Sequence, residues 1–270
     1  MFIDAHAHLD GYDALGPPAL QAALEEIERN RIFTISNSMD LPSYRRGLEI
    51  ARQSPRILSI FGIHPWSAPE YSDRLGELAE PLLQSPMFGE IGLDHFFIKD
   101  PSLYPAQGRV FELFLGAARD QGKIVNVHTK GAEGEVLDLL EKFALDRVII
   151  HWYSGPLDIF RDMVAQGFYF TVGPEVLRSK HIRAIAAEIP EGRLLTETDN
   201  PGGPQSVLGR PGTPLLIKDV VRELARVRGL GEEDLGRRVC SNLLGLFGEG
   251  PRLAAAKAFL AAQAKGNGSD

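Results

Sequence analysis

Apolar and polar positions along the chain alternate between two textures. Short runs rich in β-branched and aromatic residues recur, and each is followed by a segment in which apolar residues return at three- and four-residue spacing. The short runs are FIDAHAH (2–8), RIFTISN (31–37), RILSIFGIH (56–64), MFGEIGLD (87–94), KIVNVHTK (123–130), RVIIHWY (147–153), FYFTVG (168–173) and LLTETDNP (194–201). The helical texture is clearest in AQGRVFELFLGAARDQG (106–122), where Val110, Phe111, Phe114, Leu115 and Ala118 form one apolar stripe. Thr213 and Pro214 read as an N-cap and first helical position, opening a helix through Leu216, Val220 and Leu224. Strand then helix, eight times over, predicts a single α/β domain, a (β/α)8 (TIM) barrel. A doubly wound open sheet gives the same alternation, but eight repeats within one domain's length favour closure. The residues after Gly231 predict one or two extra C-terminal helices, so the barrel is expected over 1–264 with a flexible tail, KGNGSD, at 265–270. The longest loop-like stretch, GGPQSVLGRPG (202–212), follows strand eight, and in this fold such loops build the active site.

Composition narrows the setting. Hydrophobic residues are 44 % and charged residues 24 % of the 270, enough apolar content to fill a core. No run of 18 apolar residues predicts a membrane span, and no charged segment followed by an apolar one predicts a signal peptide. The one cysteine, Cys240, excludes an internal disulfide framework, fits a reducing cytoplasm and reads as helix packing. A formal charge of −7 argues against nucleic acid held on a broad basic surface. It leaves open an enzyme that meets a phosphate at a metal centre, because bound cations invert the local sign.

The candidate chemistry gathers at one end of the sheet. His6 and His8 lie one residue apart, and alternation in an extended strand puts both on one face. By themselves they suit either a metal or an ordinary half-buried strand edge. However, His64 ends strand three, Glu90 lies in strand four, His128 ends strand five, His151 lies in strand six and Asp199 closes strand eight. Of seven histidines only His95 and His181 fall outside this set. Imidazole with carboxylate suits zinc, manganese, iron or nickel, and an oxygen-only set would favour magnesium or calcium. Even four of these five histidines, with the two carboxylates, exceed the needs of one catalytic ion. They suit two divalent ions roughly 3.5–4 Å apart that share a bridging carboxylate and lower the pKa of a bound water to about 7. Asp199 is placed to bind one ion and to take the proton from that water, which makes the reaction class metal-assisted hydrolysis.

The motifs FIDAHAHLD (2–10), GIHPW (62–66), GEIGLD (89–94), VHTKG (127–131), HWYSG (151–155) and TETDNP (196–201), in this order, resemble the TatD-like metal-dependent hydrolases of the amidohydrolase superfamily. The resemblance covers nearly the whole chain. It implies a two-metal site of His6, His8, Glu90, His128, His151 and Asp199, with zinc, magnesium or manganese bound. Glu90 would lie between the ions, Asp199 near the attacking water, and His64 beside the substrate. It also implies cleavage of phosphodiester bonds in DNA or a small phosphodiester at the barrel mouth. The alternative is an amidohydrolase-type enzyme acting on a small ester, lactone or amide. A third class, metal storage without turnover, has no use for the proton acceptor Asp199. The chain departs from the family's pattern in places. After GLD it reads His95, Phe96, Phe97 and then Lys99; Thr129 and Lys130 stand where the family usually has Ser-Arg; and the loop after strand eight offers Arg210 without the usual Asn.

Around this set, Trp66 and Trp152 either line the substrate pocket or pack the barrel rim. Lys130 and Arg210 are the candidate phosphate contacts. Asp94 is expected to cap or support rather than ligate, and Glu197 and Asn200 to orient a ligand from behind. His95 either touches substrate or is a partly exposed loop histidine, His181 reads as a surface residue, and Lys123 lies at the wrong end of strand five for chemistry. No membrane contact is expected, and no helical pattern marks an obligate protein partner.

Overall fold

The computed structural model describes residues 1–265. The first half of the barrel runs β1 (Phe2–Ala7), α1 (Pro17–Arg29), β2 (Ile32–Asn37), α2 (Leu41–Ala51), β3 (Ile57–Ile60), then the short helices α3 (Ala68–Tyr71) and α4 (Ala79–Gln84). It continues through β4 (Phe88–Gly92), α5 (Tyr104–Gln121), β5 (Val125–His128), α6 (Glu133–Lys142), β6 (Val148–Ile150) and α7 (Leu157–Ala165). β7 (Tyr169–Val172), α8 (Lys180–Glu188), β8 (Leu194–Thr196), α9 (Pro204–Leu208) and α10 (Leu216–Arg228) complete it, and α11 (Glu232–Phe247) and α12 (Ala254–Lys265) follow. The tail expected at 265–270 lies outside the described residues except for Lys265, the last residue of α12.

All ladders are parallel, in the order β1-β2-β3 and β4-β5-β6-β7-β8. A bridge between Phe61 and Phe88 links the two arcs on one side. On the other side the segment after β8 returns to β1: Asp199 N donates to His6 O at 2.9 Å and His8 N to Asn200 O at 2.8 Å. The Thr196 hydroxyl also donates to Ile3 O, at 2.6 Å. The chain thus folds as the expected (β/α)8 barrel. Nearly every strand residue is buried because helices cover the outside while side chains fill the inside, which explains the continuous apolar runs. Close approach at the β3–β4 seam needs a residue without a side chain. A Cβ on Gly62 would sit 2.3 Å from the Gly89 carbonyl carbon.

The α5 stripe is buried as expected, and the helix ends where Gly122 turns left-handed at φ +62°. Phe114 lies between Phe61 and Phe88 with ring centroids 5.3 Å from each, so it ties α5 to both strands of the seam. Phe114→Ala is expected to lower stability by about 3–5 kcal/mol, because the closed seam cannot collapse around the void. Urea unfolding of the variant measures this.

Three sequence expectations change. The strands are shorter than their runs: β1 stops at Ala7, β3 at Ile60, β6 at Ile150 and β8 at Thr196, so His8, His64, His151 and Asp199 stand just beyond the strands rather than in them. Asp199 has φ +53°, which a continuing strand cannot accommodate. Thr213 does not cap α10; its carbonyl and that of Pro214 accept from Leu216 and Ile217 in a preceding turn, and the cap position is Leu215. The 202–212 loop is not wholly irregular, since Pro204–Leu208 winds into α9.

Candidate metal centre

The C-terminal ends of the strands and the residues just beyond them bring six of the expected side chains into one connected cluster. Glu90 is the hub. Its Oε2 lies 3.3 Å from His6 Nε2 and 3.1 Å from His8 Nε2. Its Oε1 faces the other way, 2.6 Å from His128 Nδ1 and 3.4 Å from His151 Nε2. Asp199 Oδ1 closes the first group, 3.4 Å from His8 Nε2 and 3.7 Å from His6 Nε2. Three overlapping triads have donor atoms mutually within 4.8 Å and could hold an ion: His6–His8–Glu90, His6–His151–Asp199 and His64–Glu90–His128.

The hydrogen bonds behind the rings decide which nitrogen each offers. His8 Nδ1 sits 3.1 Å from Asn37 O, a carbonyl that only accepts, so Nδ1 carries the proton. His6 Nδ1 faces Asn126 Oδ1 at 3.1 Å, and the Asn126 amide is oriented by its own donation to Ala5 O at 3.0 Å. In the neutral rings both Nε2 lone pairs therefore point at one another across 3.2 Å. Such a contact is repulsive unless a proton or a metal cation lies between the two nitrogens and the Glu90 carboxylate, and imidazoles gathered around carboxylates in this way form a donor set that fits divalent ions. His151 is tied in the same manner, donating from Nδ1 to Glu197 Oε2 at 2.8 Å. His128 is turned round: its Nε2 lies 3.0 Å from Asp94 Oδ2, leaving Nδ1 for Glu90. His64 differs from all four. Its Nδ1 accepts from Trp66 N at 3.2 Å, so its Nε2 bears the hydrogen and donates toward Glu90 Oε1, 3.4 Å away. That tautomer is a poor ligand and a good hydrogen-bond donor, in keeping with a place beside the substrate.

Electrostatics follow this layout. Burial acts to raise the Glu90 carboxyl, but the imidazoles of His64, His151 and His6 outweigh it and hold the group well below the usual carboxylate range. Burial pushes the Asp199 carboxyl up despite His151 and His8. Burial lowers the His8 and His128 imidazoles, yet their carboxylate partners win and bring each to about 9. Burial pushes Glu197 up to about 7.

The supporting shell is where sequence reasoning found only part of the answer. Asp94, expected to cap or support, does both: Oδ1 accepts from Phe96 N at 2.9 Å and Phe97 N at 2.7 Å, while Oδ2 accepts from His128 and from Trp66 Nε1 at 2.7 Å. Glu197 orients His151 as expected. Asn200 does not reach a cluster histidine; its amide donates to Asp4 Oδ2 at 3.2 Å and accepts from the Tyr12 hydroxyl at 2.6 Å, buttressing the closure instead. Asn126 was missed, although its position two residues before His128 puts it on the same face of β5. Glu197→Leu removes the acceptor behind His151 with little change in volume. It is expected to weaken metal binding by about 10–100-fold, as loss of such supports does elsewhere; competition with a fluorescent chelator measures the shift.

Two local backbone features fix the last members. Gly203 leaves room for Asp199, since a Cβ there would meet Oδ2 at 1.9 Å. Trp152 holds φ +39°, a conformation that bulky side chains avoid, directly after His151. Of the candidate substrate contacts, Trp152 is buried and donates from Nε1 to Glu175 Oε2 at 2.8 Å, so it packs the rim rather than facing outward. Lys130 donates to Ser154 Oγ at 2.6 Å and its ammonium lies 5.9 Å above the Trp152 ring. Trp66 is half exposed beside His64. Arg210 is exposed on the loop after α9. Elsewhere, His95 stacks on Tyr104 at 3.6 Å, and His181 is exposed near Gly155 O. Lys123 is buried with Nζ on Leu82 O at 2.6 Å, and Cys240 packs within α11.

A parallel barrel with a histidine–carboxylate cluster at the C-terminal ends of its strands defines a class of metal-dependent hydrolases. The comparisons agree and are more specific. The family model of TatD-related DNases matches residues 3–248, and the chain belongs to that family. It is 27 % identical over 258 residues to the uncharacterised metal-dependent hydrolase YabD of Bacillus subtilis, covering 92 % of this chain and 99 % of that one. The 3'-5' ssDNA/RNA exonuclease TatD of Dickeya dadantii is 30 % identical over 207 residues, covering 72 % of this chain and 78 % of the relative. Among solved structures, the TatD homologue YJJV of Escherichia coli superposes with a TM-score of 0.76 at 24 % identity, covering 92 % and 98 % of the two chains. Among the described residues no helix is long and apolar enough to cross a membrane.

Proposed function

We propose that the protein is a two-metal phosphodiesterase acting on DNA, with His6, His8 and Asp199 holding one divalent ion, His128 and His151 the other, and Glu90 shared between them. The observation that carries this reading is the division of Glu90: one oxygen toward His6 and His8, the other toward His128 and His151. Bound divalent cations would supply Lewis-acid polarisation of a water and of the phosphodiester oxygens. The chain's residues supply the rest. Asp199, raised by burial yet open at one edge, takes a proton at its carboxylate from the attacking water. His64 carries a hydrogen on Nε2 whose only contact among the described residues, Glu90 Oε1, is a long 3.4 Å away, so it is the donor available to a substrate oxygen. Lys130 places a cation near Trp152 and Ser154 for a phosphate, Trp66 stands beside His64, and Arg210 on the loop after α9 is the other candidate phosphate contact. The relative from Dickeya dadantii, named for single-stranded DNA and RNA, supports a nucleic-acid substrate.

The experiment is a substrate panel: labelled single-stranded DNA, a p-nitrophenyl phosphodiester, and p-nitrophenyl esters and lactones, each with magnesium, manganese or zinc. DNA and the phosphodiester should be cleaved and the carboxylic substrates should not. Turnover of esters or lactones with no cleavage of either phosphodiester would overturn the reading.

A further inference from the structure

Among the described residues, large hydrophobic side chains that stay exposed are few, and the aromatic ones occur together. Trp66 is 48 % exposed, Phe96 55 % and Phe97 53 %; the others are the aliphatic Leu15, Leu83 and Leu215. Phe97 lies edge-on to Trp66 at 5.7 Å and to Phe96 at 4.9 Å, so the three rings form one continuous patch. Exposing three adjacent aromatic rings forfeits their transfer free energy, and monomeric proteins keep such patches for partners. The patch is also held rigidly. One carboxylate, Asp94, accepts from the backbone of Phe96 and Phe97, from the Trp66 indole and from His128 of the metal cluster. The Trp66 ring and the backbone that carries Phe96 and Phe97 are therefore tied through one carboxylate to His128 of the cluster. Beside them the Lys99 ammonium lies 4.7 Å above the Phe96 ring, which puts a positive charge at the outer edge of the patch.

We infer that Trp66, Phe97 and Phe96 form a stacking platform for unpaired bases of a single-stranded nucleic acid whose phosphate backbone enters the cluster. This inference rests on the nuclease reading above and deepens it. Aromatic faces accept any base, a nearby cation meets the phosphates, and a duplex hides the faces that the rings would hold. The platform thus supplies a preference for single strands that does not depend on a broad basic surface, in a protein whose formal net charge is −7. The same chemistry explains why His95 is not part of it: its ring is turned away and stacked on Tyr104.

The test compares kcat/KM of the metal-loaded enzyme on a short labelled oligothymidylate and on an oligomer of equal length built from abasic units, which keeps the phosphates and removes the bases. The wild type should favour the base-bearing oligomer by roughly tenfold or more, the worth of about one stacked base. Phe96→Ala with Phe97→Ala should lose that preference, and Phe96→Tyr with Phe97→Tyr should retain it, which separates ring stacking from any disturbance of the loop. Cleavage with the wild-type preference intact in the alanine variant would overturn the platform and leave the nuclease reading standing. Absence of cleavage of both oligomers by the wild type would overturn both. A wild type that dimerises in sedimentation while the alanine variant stays monomeric, with base preference unchanged, would assign the patch to a second copy of the chain and overturn the inference.

Discussion

Asp199→Asn is expected to abolish turnover while leaving most of the bound metal in place. The asparagine keeps an oxygen facing His6 and His8, and the other ligands are untouched, so the ions lose one charge-assisted contact out of several. On the proposed mechanism, what disappears is the proton acceptor. Positioned general bases contribute about 10²–10⁴-fold to rate, and a loss of that size in kcat is the expected result. Steady-state kinetics on single-stranded DNA, with elemental analysis of the same sample, checks both halves. A variant with unchanged kcat would remove Asp199 from the mechanism. One that loses its metal as well would make Asp199 chiefly a ligand. The position is sensitive for a structural reason too: Gly203 leaves just enough room for the carboxylate, and the left-handed backbone at Asp199 aims it inward.

The double substitution His6→Ala, His8→Ala should have the opposite signature, losing metal first and activity as a consequence. It removes both nitrogens that face Glu90 Oε2, so the remaining carboxylates cannot by themselves hold that ion. Elemental analysis after gel filtration should show at least one of the wild-type ions missing. Thermal melting gives an independent readout. Added metal raises the wild-type midpoint through binding to the folded state, by about 2.7 kcal/mol at a hundredfold excess over Kd. The midpoint of the double variant should respond far less. A wild-type-like metal content in the double variant would show that His6 and His8 are only packed at a strand end.

Much of this was legible in the amino-acid order because the barrel writes itself locally. Eight apolar runs and the stripes between them report strands and helices buried on known faces, and the α5 stripe was read residue by residue. The six cluster residues were also visible, since chemistry in this fold collects at the C-terminal ends of strands and the histidines gathered there. Where the strands stop was not visible. The strand-like runs continue into GIHPW and TETDNP, but the ladders end earlier, at Ile60 and Thr196, before the backbone turns at positions such as Asp199. The missing cap at Thr213 has a similar origin: a turn formed by neighbouring backbone groups displaced the start of α10.

What the sequence determined by itself is the inventory: which elements form, and which imidazoles and carboxylates stand at their ends. Only the tertiary structure decided how each is used. Glu90 splits between two histidine groups, His64 and His128 expose opposite nitrogens, Asn126 and Asp94 fix tautomers, and Asn200 turns to the closure at Asp4. These outcomes depend on hydrogen bonds between residues far apart in the chain, as between His6 and Asn126. A local pattern records burial and periodicity, but the side of a ring that meets a distant carbonyl is set only when the barrel closes.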